Sequence, residues 1–120
     1  MQIWLKRAYE KPGDKDGTRI LVDRIWPRGV SREELQLDAW LKEIAPSGEL
    51  RKWFDHDPER WDEFKQRFFA ELDGHKQPME ELISRVKKGR VTLIFAAQDE
   101  EHNNAVALKE YLEAKLKDRS

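Results

Sequence analysis

The chain has 120 residues, 38% hydrophobic and 39% charged, with a formal net charge of -1 at pH 7. That length supports one hydrophobic core and not two, and five tryptophans give a small chain enough apolar surface to order it. The balanced charge excludes a global basic field for nucleic acid or an anionic membrane, and the absence of cysteine excludes disulfides, cysteine-ligated zinc and thiol catalysis.

Gln2 to Ala8 alternates loosely, with Ile3 and Leu5 on one side and Trp4 on the other, which predicts a first strand. Lys11-Pro12-Gly13-Asp14-Lys15-Asp16-Gly17 is turn chemistry throughout and leads to a second strand over Thr18 to Asp23. Trp26-Pro27-Arg28-Gly29 cannot continue that strand, because Pro27 has no N–H to donate and Gly29 marks a bend. Ser31-Arg32-Glu33-Glu34 is a capping box that opens a short helix. Leu37 to Ala45 fits either a helix face or a strand. The reading adopted is a short strand ending at Ala45-Pro46-Ser47, since Pro46 biases Ala45 toward extended geometry and Ser47 then caps a helix from Gly48 to Phe54.

Asp57-Pro58 joins an N-cap to proline at the first helical position. Trp61, Phe64, Phe68 and Leu72 then recur at helical spacing, so Glu59 to Asp73 is an amphipathic helix stopped by Gly74. An apolar stripe of that kind is what a helix buries, so it reads as core and not as a stacking platform. Met79, Leu82, Ile83 and Val86 make another helical face, closed by Lys87-Lys88 and Gly89. Val91 to Ala96 is a continuous apolar run of strand length, the pattern of a strand buried on both faces in a largely parallel sheet. Ala105, Leu108, Leu112 and Leu116 carry a last helix. Strands separated by helices predict an α/β fold, a small three-layer sandwich with a short, mostly parallel sheet flanked by helices, as one domain over residues 1–120. No window reaches transmembrane length and Met1 to Lys6 lacks a signal-peptide core, so no membrane association is expected and the cytoplasm is the expected compartment.

In open α/β sheets ligands sit at the carboxyl ends of the strands, and three such ends carry polar loops: Asp23 to Gly29, Ala45-Pro46-Ser47 and Gln98 to Asn103. Arg24 and Arg28 would suit a phosphate or carboxylate, with Asp23 orienting an arginine and Trp26 walling the pocket. The plain alternative is a structural ion pair and a core-filling indole. Ser47 and Asn103 join the expected ligand set. Asp99 and His102 precede the last helix, and an imidazole is the chain's best general acid or base, so this pair is the expected catalytic element. Alternatively Asp99 or Asn103 merely caps the helix. His56 between two aspartates is a weak metal signal, because His75 and His102 lie in other segments. No Walker loop, dinucleotide glycine fingerprint or GxSxG elbow occurs, so no cofactor and no metal are implied. Arg51-Lys52-Trp53 is basic but surrounded by acids, which reads as a solvated face and argues against nucleic acid as a partner.

Leu21 to Ser31, Trp40 to Ser47, Leu50 to Phe54 with His56-Asp57-Pro58, and Ala96 to Ala105 together resemble the YeaO-like proteins, a bacterial family of domains of unknown function, DUF488. The resemblance runs from Met1 to about Leu116. It implies a compact cytoplasmic α/β protein and supplies no substrate, cofactor or catalytic residue. Other branches carry cysteines at positions matching Phe95 and Asn103, which this chain lacks, so their thiol chemistry does not transfer. The expected function is binding of a small anionic ligand at the strand-end rim, with cofactor-free hydrolysis or group transfer if there is turnover. The rivals are a protein-interaction module using exposed tryptophans such as Trp53, and a weak nucleic-acid binder.

Overall fold

Every residue of Val91–Phe95 is buried, and this strand lies inside a four-stranded sheet. The protein's structure, a computed structural model, describes residues 2–118. The strands are β1 (Ile3–Arg7), β2 (Thr18–Leu21), β3 (Ala39–Trp40) and β4 (Val91–Phe95), in the order β1-β4-β2-β3 and all parallel. Ile3 lies beside Val91 and Arg7 beside Phe95, while Thr18 and Leu21 lie beside Val91 and Ile94. The inner position of β4 explains why all five of its residues are buried, since a parallel sheet needs cover on both faces.

One face carries Ile20, Val22, Val91, Leu93 and Phe95, and it packs on the buried stripes of four helices. These are α2 (Gly48–Phe54), α3 (Trp61–Asp73), α4 (Lys76–Lys88) and α5 (Asn104–Asp118). Phe68, Leu82, Leu108 and Leu112 are completely buried there. The period of two along each strand sends Leu21 and Ile94 to the opposite face, where they meet Ala8 and Leu35. That second layer is thin, built from the short helix α1 (Arg32–Leu35) and the chain around it. Ser31 and Glu34 form the expected capping box at its start.

The connection from β1 to β2 crosses the thin face and is pinned by charge. Thr92 donates its hydroxyl to the Asp16 carbonyl at 2.6 Å. The Asp16 carboxylate accepts from Arg19 at 2.6 Å, from Lys6 at 3.2 Å and from the Gly13 N–H at 3.0 Å. Arg19, itself buried, spends its remaining donors on the carbonyls of Leu35 and Gln36. Gly17 beside them has φ +68°, and a Cβ there would lie 2.3 Å from the Arg90 carbonyl oxygen, so only glycine fits.

The third strand departs from the sequence reading. Pairing with β2 stops at Trp40, and Lys42–Ile44 is a 3-10 turn instead of strand. Leu41 and Ile44, three apart, are both buried in the helix-side core, which a tight turn satisfies and an alternating strand does not. The helix expected from Glu59 likewise opens as a 3-10 turn, Pro58–Arg60, and becomes α-helical at Trp61. Among the described residues no helix is long and apolar enough to cross a membrane.

Candidate functional site

Because all four strands run the same way, the loops after β2 and β4 emerge on one edge, and the segment following β3 joins them. Between them lies a cleft of about 560 Å³. Asp23, one residue beyond Val22, forms part of its lining and ties the parts together. Its Oδ2 accepts the Ala96 N–H at 2.9 Å and its Oδ1 accepts from the Asn104 side chain at 3.0 Å. Asn104 also donates to the Val22 carbonyl at 2.9 Å, so β2, β4 and α5 meet at one carboxylate. Burial pushes the Asp23 carboxyl above its ordinary value, and Asn104, the Ala96 N–H and the nearby Arg51 oppose that rise.

Asp23 does not orient Arg24, whose guanidinium donates instead to the carbonyls of Ala45 at 3.2 Å and Pro46 at 3.4 Å. Arg24 therefore lines the cleft while holding the segment after β3 against the loop after β2. Trp26 combines both readings of it. It lines the cleft, yet it meets Trp40 edge-on at 5.4 Å and donates its indole N–H to the Val30 carbonyl. Trp40 donates in turn to the Asp23 carbonyl at 2.7 Å, so two indoles staple the loop that carries the arginines. Arg28 is exposed in the same cleft.

His102 also lines the cleft, its ring edge-on to Trp61 at 5.4 Å and its Nδ1 3.0 Å from Asp99 Oδ2. Asp99 also accepts the N–H groups of Glu101 and His102, which hold its carboxyl below the ordinary value. It lies outside the cleft lining and reaches the cleft only through His102. Asn103 is buried as the cap of α5, accepting the Val106 N–H at 2.9 Å and donating to the Asp99 carbonyl. Ser47 is not part of the lining. Its hydroxyl donates to Glu71 at 2.6 Å and accepts the Leu50 N–H, which anchors α2 to α3.

Sequence reasoning missed the α2 wall. Gly48, Arg51, Lys52 and Asp55 all line the cleft, and His56 follows them. Gly48, Arg51 and Lys52 fall at a helical spacing of three and four, Asp55 is the cap that follows, and that polar stripe beside the buried Leu50 was the available signal. The side chains of Arg28, Arg51 and Lys52 donate to no protein group among the described residues. Four cations of the lining, Arg24, Arg28, Arg51 and Lys52, face two carboxylates, Asp23 and Asp55, a formal surplus of two positive charges. No three His, Cys, Asp or Glu side chains among the described residues are placed to share a metal ion. Trp53, the expected exposed anchor, is half-buried, with the guanidiniums of Arg60 and Arg67 5.4 and 4.3 Å from its ring centre.

A family model described as the inactive DUF488-N3 subclade matches residues 2–120. The uncharacterized protein YeaO of Escherichia coli is 42% identical over 112 residues, covering 93% of this chain and 97% of the relative. Uncharacterized proteins of Mycobacterium tuberculosis and Mycobacterium bovis are each 37% identical over 111 residues, covering 92% of this chain and 93% of theirs. No solved structure matches the chain.

Proposed function

This chain belongs to the DUF488 family, and from that premise and the cleft's geometry we propose that it binds a small phosphate- or carboxylate-bearing ligand at the strand ends. The observation that carries the reading is the set of three cationic side chains, Arg28, Arg51 and Lys52, on one cavity, none of which donates a hydrogen bond to a protein group among the described residues. Arg28 and Arg51 supply forked donors suited to an oxyanion, and Lys52 adds a point charge. The description of the subclade as inactive supports binding without turnover. His102 then contacts the ligand, and Asp99 is a positioning residue that fixes the ring through Nδ1.

The test is a thermal-shift titration of the purified chain with sulfate, phosphate and small carboxylates, beside Arg28→Ala and Arg51→Ala. A ligand that binds the native state raises the melting temperature by mass action. The expected result is a concentration-dependent rise that both variants reduce. Absence of any shift in folded protein would overturn the reading.

A further inference from the structure

Among the described residues three large apolar side chains are exposed: Trp4 at 39%, Tyr9 at 50% and Ile25 at 63%. Trp4 is covered by the Arg90 guanidinium, 3.9 Å from its ring centre. The other two both line the cleft. Tyr9 keeps half its surface exposed although Arg7 lies 5.1 Å over its ring. Two of the three exposed large apolar side chains among the described residues thus line the same cleft as Arg28, Arg51 and Lys52. A bare oxyanion uses the cations and leaves Tyr9 and Ile25 in water. It also leaves most of the roughly 560 Å³ unfilled, a volume in the range of sites that enclose organic ligands.

Resting on the anion-site reading, we propose that the ligand is a free mononucleotide, a phosphate monoester joined to a flat ring. Two observations select it over a carboxylate or a sugar phosphate. The formal surplus of two positive charges matches a phosphate monoester, which carries about −1.5 to −2 near pH 7 where a carboxylate carries −1. Tyr9 and Ile25 offer a ring-sized apolar cover that a sugar phosphate does not need. Arg28, Arg51 and Lys52 hold the phosphate, and the base lies against Tyr9 and Ile25.

Isothermal titration of the full chain tests this with 5′-mononucleotides, the matching nucleosides, ribose 5-phosphate, inorganic phosphate and a 5′-phosphorylated single-stranded oligonucleotide. Mononucleotides should bind on the order of tenfold more tightly than ribose 5-phosphate, since covering one ring contributes about that factor. Tyr9→Ser with Ile25→Ser should erase the advantage and leave ribose 5-phosphate binding unchanged. Both side chains are largely exposed, so the fold tolerates the change, and Arg51→Gln should weaken both ligands together. Equal affinity for mononucleotide and ribose 5-phosphate would overturn the ring assignment while leaving the anion site standing. Binding of none of the phosphates would overturn both. Tighter binding of the oligonucleotide than of the mononucleotide would overturn the free mononucleotide in favour of a polymer.

Discussion

Two aspartates in this molecule respond to pH with opposite sign. Burial alone would raise the Asp16 carboxyl, but the Gly13 N–H, Lys6 and Arg19 outweigh it and hold it below its ordinary value. A depressed folded value means stability that is present above the ordinary carboxylate range and lost as pH falls through the folded value. Asp16→Asn should cost about 3 kcal/mol at neutral pH, because it leaves the Arg19 guanidinium buried without its counter-charge. In urea denaturation the gap from wild type should close on acidification. Asp23 runs the other way, its carboxyl raised by burial. Its contribution is complete below the ordinary carboxylate range and is lost as pH rises through the folded value. Wild type should therefore lose ground to Asp23→Asn between acid and neutral pH. A cleft that keeps a raised carboxyl beside Arg51 also becomes more cationic on mild acidification, so the proposed anion binding should tighten there.

Elements, taken one at a time, owe their placement to a few contacts across their ends. Asn104 joins the first turn of α5 to the Val22 carbonyl and the Asp23 carboxylate. Asn104→Ala should cost about 1–3 kcal/mol by leaving those acceptors short of a donor, and ligand affinity should fall with it, since Asp23 loses its anchor to α5. Asn103→Ala removes the cap of α5 together with the donor to the Asp99 carbonyl and should cost about 1–2 kcal/mol. Within α3, Phe68 is completely buried and Phe69 only partly. Phe68→Ala should lower stability by about 3–5 kcal/mol and Phe69→Ala by clearly less, because the cost follows the cavity that cannot collapse. Equal losses would contradict the assignment of core and flank in this helix.

For the whole molecule the telling feature is asymmetry. Four helices cover one face of the sheet, while the other has a four-residue helix and a charged crossover. The strand ends of a fully parallel sheet all open on one edge, so the cleft is a consequence of topology. Its cations are exposed, and binding there should weaken as ionic strength rises from 0.05 to 0.5 M, since the screening length falls from about 14 to about 4 Å. Measured for sulfate at constant pH, a salt-independent affinity would place the bound anion away from Arg28, Arg51 and Lys52.

Much of the fold was written in local chemistry. The unbroken run Val91 to Ala96, the stripes Trp61/Phe64/Phe68/Leu72 and Met79/Leu82/Ile83/Val86, and the caps at Ser31, Ser47 and Asp57 each work over a few residues, and each was legible in the chain. The loops that form the cleft were legible too, because strand ends in a parallel sheet share an edge. What each polar side chain does there was not. Arg24 and Arg28 lie four apart in one loop, yet one is spent on carbonyls more than twenty residues away and the other is left to the cleft. Ser47 faces Glu71 and not the cleft, and Arg51 with Lys52 are turned into it by the seating of α2 on its apolar face. The extent of β3 was decided in the same way, by the demand that Leu41 and Ile44 share one side of the core. Hydrophobic period and capping act within a segment and are fixed by sequence alone. Which donors are left without a protein acceptor depends on partners distant in the chain, and only the tertiary structure decides that.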